Sequence, residues 1–234
     1  MNKYRKNCLL IAVICLMLWL AGCASLWRDQ LVNCTFPVAD TEPIRQVRTL
    51  LLVEDSYVSI EPMREVIANV NEILLHQVGI EFVVTEAHVV SGMKALGYNK
   101  ALNNLWRVVM EEGKYQDWDV VIGAIGKDWL DGVAFLAAQF MIPIPRWAGV
   151  VDDKYRRFCV LKAIDAQILA HEMMHLFILD YDHSDQGLMG AVAFSLLPGV
   201  SMGHVCLNEA DRLAALKYKW REFNWDIRPG WSGG

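Results

Sequence analysis

The run His171-Glu172-Met173-Met174-His175 puts two imidazoles four residues apart, with a carboxylate beside the first. On an α-helix, positions i and i+4 share a face, so both rings reach toward one cation. Zinc accepts imidazole nitrogen at about 2.0–2.1 Å, and catalytic zinc sites keep one position open for water. A carboxylate next to the first ligand can take the proton from that water. The surrounding helix is apolar, with Ile168, Leu169, Leu176, Phe177 and Ile178. Two histidines and a glutamate on such a helix are costly unless something satisfies them. The plain alternative is a buried helix that happens to carry two histidines.

Two imidazoles do not close a zinc site, and a third protein donor is required. Downstream stands Asp180-Tyr181-Asp182-His183-Ser184-Asp185-Gln186-Gly187-Leu188-Met189-Gly190. With the first run, this stretch resembles the metzincin metalloproteases, whose signature is H-E-x-x-H-x-x-G-x-x-H followed by a methionine turn. The resemblance implies metal ligands His171, His175 and His183, Glu172 as the general base, and Met189 as the structural methionine of the turn. It spans about residues 46–221, but only 171–189 is diagnostic. This chain departs from the signature in two places. Ile178 stands at the glycine position, and Tyr181 stands where the third histidine falls, so His183 arrives two residues late.

A two-residue extension allows the helix about half a turn more before it reverses, with Asp180 or Asp182 at the turning position that glycine normally fills. Those aspartates are also alternative metal ligands, since zinc accepts carboxylate. Glu209 is a further candidate, although an acidic residue in the first turn of a helix is already explained by the dipole. His204 reads as a surface or capping residue, and His76 and His88 as structural.

The chemistry implied is a zinc-dependent metalloendopeptidase: Zn2+ on three histidines, water as nucleophile, Glu172 moving the proton, and a peptide or protein substrate extended along an edge strand, which the resemblance to metzincins places between residues 132 and 151. The rival class is a non-catalytic metal-binding or scaffold lipoprotein that keeps the fold. Glu172 speaks against it, because a structural zinc site has no need of it, and the shifted third ligand speaks for it. A cell-wall-binding role for some of the nine tryptophans is the weakest reading.

Several elements must position these residues. Residues 49–53 form a continuous apolar run suited to a buried strand. Met63, Val66, Ile67, Val70, Ile73, Leu74 and Val78 recur at helical spacing after Pro62, with Gly79 placed to stop the helix. Ile80, Phe82 and Val84 alternate along a strand, a second stripe runs from Tyr98 to Val109, and 118–125 reads as another strand. This order predicts an α/β fold: a twisted, mostly parallel sheet backed by helices. The resemblance implies its zincin-like α+β version, with the active-site helix and a C-terminal helix below the cleft. A short strand is expected at 158–161, the zinc helix at 164–179, and a last helix from Asn208 through Leu213, Leu216 and Trp220, with Asn208 and Asp211 at capping spacing. The domain is thus expected over 46–223, followed by a loosely held tail, 224–234.

The N-terminus has its own logic. Lys3, Arg5 and Lys6 precede an apolar stretch over 9–20, the layout of a secretory signal. It is short for a spanning helix, which wants about 20 apolar residues. Leu20-Ala21-Gly22-Cys23 resembles the lipobox of bacterial lipoproteins, implying cleavage before Cys23, lipidation of its thiol, and a tether over 23–45. Ala24 and Ser25 after the cysteine favour the outer membrane. Loss of the three basic residues in 1–22 takes the net charge from −5 to −8. An acidic chain without basic clusters argues against nucleic acid as a partner. Cys34, Cys159 and Cys206 then remain, enough for one disulfide whose pairing spacing does not reveal. Cys34 is also a weak candidate for a thiolate that blocks the metal.

Overall fold

The computed structural model describes residues 34, 36, 40–56, 59–112, 118–127, 131, 147–162, 164–184, 186–190 and 205–223. The expected signal and lipidation site at 1–23, the candidate His204 and the tail 224–234 lie outside the described residues. The main elements are β1 (Arg45–Glu54), α1 (Ile60–Val78), β2 (Ile80–Val90), α2 (Tyr98–Glu112), β3 (Val120–Ala124), β4 (Gly149–Val151), β5 (Phe158–Leu161), α3 (Ala166–His175) and α4 (Glu209–Lys217). The strands form one sheet in the order β2-β1-β3-β5-β4. All pairs are parallel except β4 with β5. The expected α/β class with a mostly parallel sheet is therefore the one that forms.

The continuous apolar runs are explained by cover on both faces. Along β1, Val47, Leu51 and Val53 pack with α1 and α3, whereas Leu50 and Leu52 face α2 residues such as Leu105 and Val109. β5 divides likewise, with Cys159 and Leu161 on the α3 side and Phe158 and Val160 on the other. α1 stops at Gly79, whose φ of 64° is left-handed and whose N–H reaches Leu75 O. A Cβ there would lie 1.8 Å from Thr41 O, so the position demands glycine twice over.

Two helix boundaries differ from expectation. α3 ends at His175 rather than continuing to 179, and the two extra residues are absorbed by the loop that follows. Asp180 and Asp182 adopt no left-handed turn; the described non-glycine residue with positive φ is Arg156. α4 ends at Lys217, leaving Leu213 and Trp220 exposed while Asp211, Arg212, Ala214 and Ala215 are buried.

The cysteine pairing that spacing left open is Cys34–Cys206, which ties the N-terminal strap to the approach of α4. Cys34 is thereby removed as a metal-blocking thiolate, and Cys159 is a buried free thiol.

The turn between β4 and β5 is organised by Asp152, which is 1% exposed. Its carboxylate accepts the backbone N–H groups of Tyr155, Arg156, Arg157 and Phe158 at 2.6–3.1 Å. Arg156 N–H also reaches the Asp152 backbone carbonyl at 3.1 Å, so three donors would be orphaned without the side chain, and bonds to a charged acceptor are the strong kind. Asp152→Ala is expected to cost about 3–5 kcal/mol in urea unfolding, since it strands buried donors. A loss below about 1 kcal/mol would mean that water replaces the carboxylate there.

Candidate metal centre

Asp165 starts the helix that carries the first two histidines. Its side chain accepts the N–H groups of Gln167 and Ile168, satisfying donors that a helix start leaves open. Leu169, Ala170, Met173 and Met174 are buried and lock α3 onto the sheet. His171 and Glu172, at 5% and 8% exposure, are buried with them. His171 Nδ1 donates to Leu188 O at 2.7 Å, which fixes the tautomer and leaves the Nε2 lone pair facing outward. Leu188 is held in turn, its N–H reaching Cys206 O at 2.8 Å in a turn where Gly187 has φ 80°. Met189, the methionine of that turn, is fully buried, and its carbonyl accepts Ser184 N–H at 3.2 Å.

The structure brings His171, His175 and His183 together. One donor atom from each lies within 4.8 Å of the others. The ring centroids are 4.9, 5.2 and 5.0 Å apart. His171 Nε2 and His175 Nε2 approach to 3.2 Å. Tetrahedral zinc with bonds of about 2.0–2.1 Å wants nitrogens about 3.3 Å apart, so this pair already has the spacing the ion needs. Burial pushes His171 below the ordinary imidazole range, and the Leu188 carbonyl only partly offsets it. Burial, with His171, His183 and Arg156 nearby, pushes His175 down to about 3. Neutral imidazoles with outward lone pairs are the form a metal requires. The donor set fits Zn2+.

The alternative donors are committed elsewhere. Asp180 accepts from Lys217 Nζ at 3.0 Å and Tyr218 Oη at 2.7 Å, so it faces α4. Asp182 Oδ1 takes Arg156 Nη2 at 3.2 Å. Glu209 lies 3.5 Å from Arg212 on its own helix. His88 pairs with Glu86 at 3.2 Å.

Arg156 is the residue that inspection of the sequence missed. It comes from the Asp152 turn in a left-handed conformation, φ 46°. Its Nη1 donates to His175 O and Ile178 O, and Nη2 to Asp182. Arg221 Nη1 adds a bond to Leu176 O at 2.6 Å. The carbonyls that α3 leaves open are thus satisfied by two arginines from other elements, which suits the negative end of a helix. Ile178 therefore reverses the chain without glycine. In sequence, Arg156 sits in a charged stretch, 152–157, that reads as solvated surface; Asp152 was the available signal, as a turn former.

A cleft of about 250 Å³ runs beside the histidines. One wall is β4, whose outer edge is unpaired among the described residues, and the other is Glu172, His175 and His183, with Asp153, Arg156 and Asp182 also lining it. Glu172 packs so close to the strand that a Cβ at Gly149 would lie 2.6 Å from its Cγ and 2.8 Å from Oε1. Burial raises the Glu172 carboxyl to about 8.

No protein-family model and no curated protein matches this chain. Among solved structures, it is similar to a chain in a chaperone–substrate complex (13% identity, TM-score 0.48), covering 75% of this chain and 35% of that one. It is also similar to archaemetzincin from Methanopyrus kandleri (15%, 0.49), covering 75% of this chain and 97% of that one. A third is metalloproteinase-II from Bacteroides fragilis (17%, 0.46), with 81% and 59% covered. At such identities the likeness concerns the course of the chain, and the site rests on its own residues.

His183→Ala is expected to weaken zinc binding at least about 100-fold, whereas Asp180→Ala and Asp182→Ala keep one equivalent. Elemental analysis after dialysis against a weak chelator checks this. Full zinc in His183→Ala, with loss in either aspartate variant, would move the third ligand to a carboxylate.

Proposed function

We propose that this chain is a zinc-dependent endopeptidase. The observation that carries the reading is a buried glutamate adjoining three convergent imidazoles, across a cleft from a strand edge that is unpaired among the described residues. His171, His175 and His183 would hold the ion. Bound zinc supplies Lewis acidity, polarising a carbonyl oxygen and acidifying water.

The remaining work falls to this chain's own groups. The outer edge of β4 offers backbone donors and acceptors to an extended peptide, which holds the scissile bond alongside Glu172. Glu172 takes the proton of the attacking water and later returns it to the leaving amine. Burial alone holds the Glu172 carboxyl up at about 8, and a cation held by the adjoining histidines would favour its ionised, proton-accepting form. Arg156, by tying the β4–β5 turn to the end of α3, keeps the strand edge and the histidines in fixed relation. Glu172→Gln is expected to retain zinc and lose about 10²–10⁴-fold in kcat on a generic unfolded protein. Undiminished hydrolysis by that variant would exclude Glu172 as the base. Zinc binding by the wild-type chain with no hydrolysis would favour the scaffold reading.

The same proposal places the enzyme on a bacterial outer membrane, facing the periplasm and anchored by lipid on Cys23. The support is the basic start, the apolar stretch and Leu20-Ala21-Gly22-Cys23. Among the described residues no helix is long and apolar enough to cross a membrane. Cys23→Ser is expected to move the protein from the membrane pellet to the soluble fraction. If the variant stays membrane-bound, a lipid on that thiol is not the anchor.

A further inference from the structure

His183 is an exposed residue in a loop, yet its ring stands about 5 Å from two imidazoles on a rigid helix. Something must hold the loop in register. Asp211, fully buried in the first turn of α4, does so from behind. Its Oδ1 accepts the Tyr181 hydroxyl at 2.7 Å, and its Oδ2 lies 2.8 Å from the Ser184 hydroxyl, whose one proton it shares with Gln186 O at 2.7 Å. One planar group therefore fixes two residues that straddle 182 and 183. Asp211 is itself held, because its N–H donates to the Asn208 side chain at 2.8 Å, and Asn208 Nδ2 donates to Gln186 O at 3.1 Å.

Tyr181 is the residue that stands two places before His183, where a shorter loop would have put the ligand. Its hydroxyl is engaged with α4, so the side chain at 181 is directed away from the cleft. The next two residues then carry the chain to His183. Asp180 repeats the pattern with Lys217 and Tyr218, but at an exposed site where such bonds contribute little. The buried carboxylate is the stronger constraint, since its two acceptors have no water to fall back on.

We infer that Asp211 is a positioning residue for the metal centre, which sets the register of the 181–184 loop so that His183 completes the donor set. The inference rests on the zinc reading above and extends it to a residue that touches neither ion nor substrate. Outer-shell partners of this kind typically control metal affinity by about 10–100-fold.

The test uses the full-length chain in detergent. Asp211→Ala risks misfolding, so Tyr181→Phe and Ser184→Ala are combined instead, which removes both bonds to the carboxylate, together with the Ser184 contact to Gln186 O, and leaves the carboxylate in place. Zinc affinity is measured by chelator competition, in wild type and in a His183→Ala background, and the visible absorption of the Co2+-loaded protein reports the number of donors. The expected result is a fall of about 10–100-fold in affinity with an altered Co2+ spectrum, and less than about 2-fold further loss once His183 is absent. Unchanged affinity, or an equal loss in the His183→Ala background, would overturn the inference. If wild type binds zinc but cleaves no peptide, only the peptidase reading fails and the cycle still decides the role of Asp211. If wild type binds no zinc, both fall.

Discussion

The structure turns on two imidazole nitrogens, on His171 and His175, that face each other at 3.2 Å at the edge of a buried helix. With His171 Nδ1 donating its proton to Leu188 O, the outward Nε2 is an acceptor, and lone pairs at such a distance repel unless a proton or a cation lies between them. Burial disfavours protonation of both rings. Without an ion, a neutral His175 can meet the His171 lone pair with its own Nε2–H; a divalent ion would instead take a lone pair from each ring, with neither imidazole charged.

Everything around this pair serves to keep it from relaxing. The sheet is covered on both faces, so α3 has an apolar bed and cannot roll. Its N-terminus is held by Asp165, and its C-terminal carbonyls by Arg156 and Arg221. The loop bearing the third imidazole is clamped between Arg156 on one side and α4 on the other. Three histidines separated by up to twelve residues in sequence are thus held by polar anchors on the β4–β5 turn and α4. Such convergence on fixed elements is what a preorganised site requires.

Much of this was legible in the residues because it is local. The i, i+4 histidines declare a shared helical face. The alternating and continuous apolar runs declare strands with one or two covered faces, and Gly79 declares a helix end. The element order then implied a mostly parallel sheet. What stayed hidden depends on groups far apart in sequence. The helix stop at His175 is made by an arginine 19 residues earlier, acting through its side chain, so no glycine marks it. Asp211 at capping spacing was understood only through its backbone, whereas its side chain reaches back 30 residues to Tyr181. The apolar letters of α4 pointed toward Leu213 and Trp220, but the buried face is polar and small, because α4 packs through Asp211 and Arg212.

X-ray absorption at the zinc edge of the metal-loaded protein addresses the central claim most directly. Three imidazole shells with nitrogen at about 2.0–2.1 Å, plus one light oxygen scatterer, are expected for three protein histidines and an open water position. Two imidazoles with carboxylate oxygen, four protein donors with no water, or an absence of bound zinc would each contradict the account.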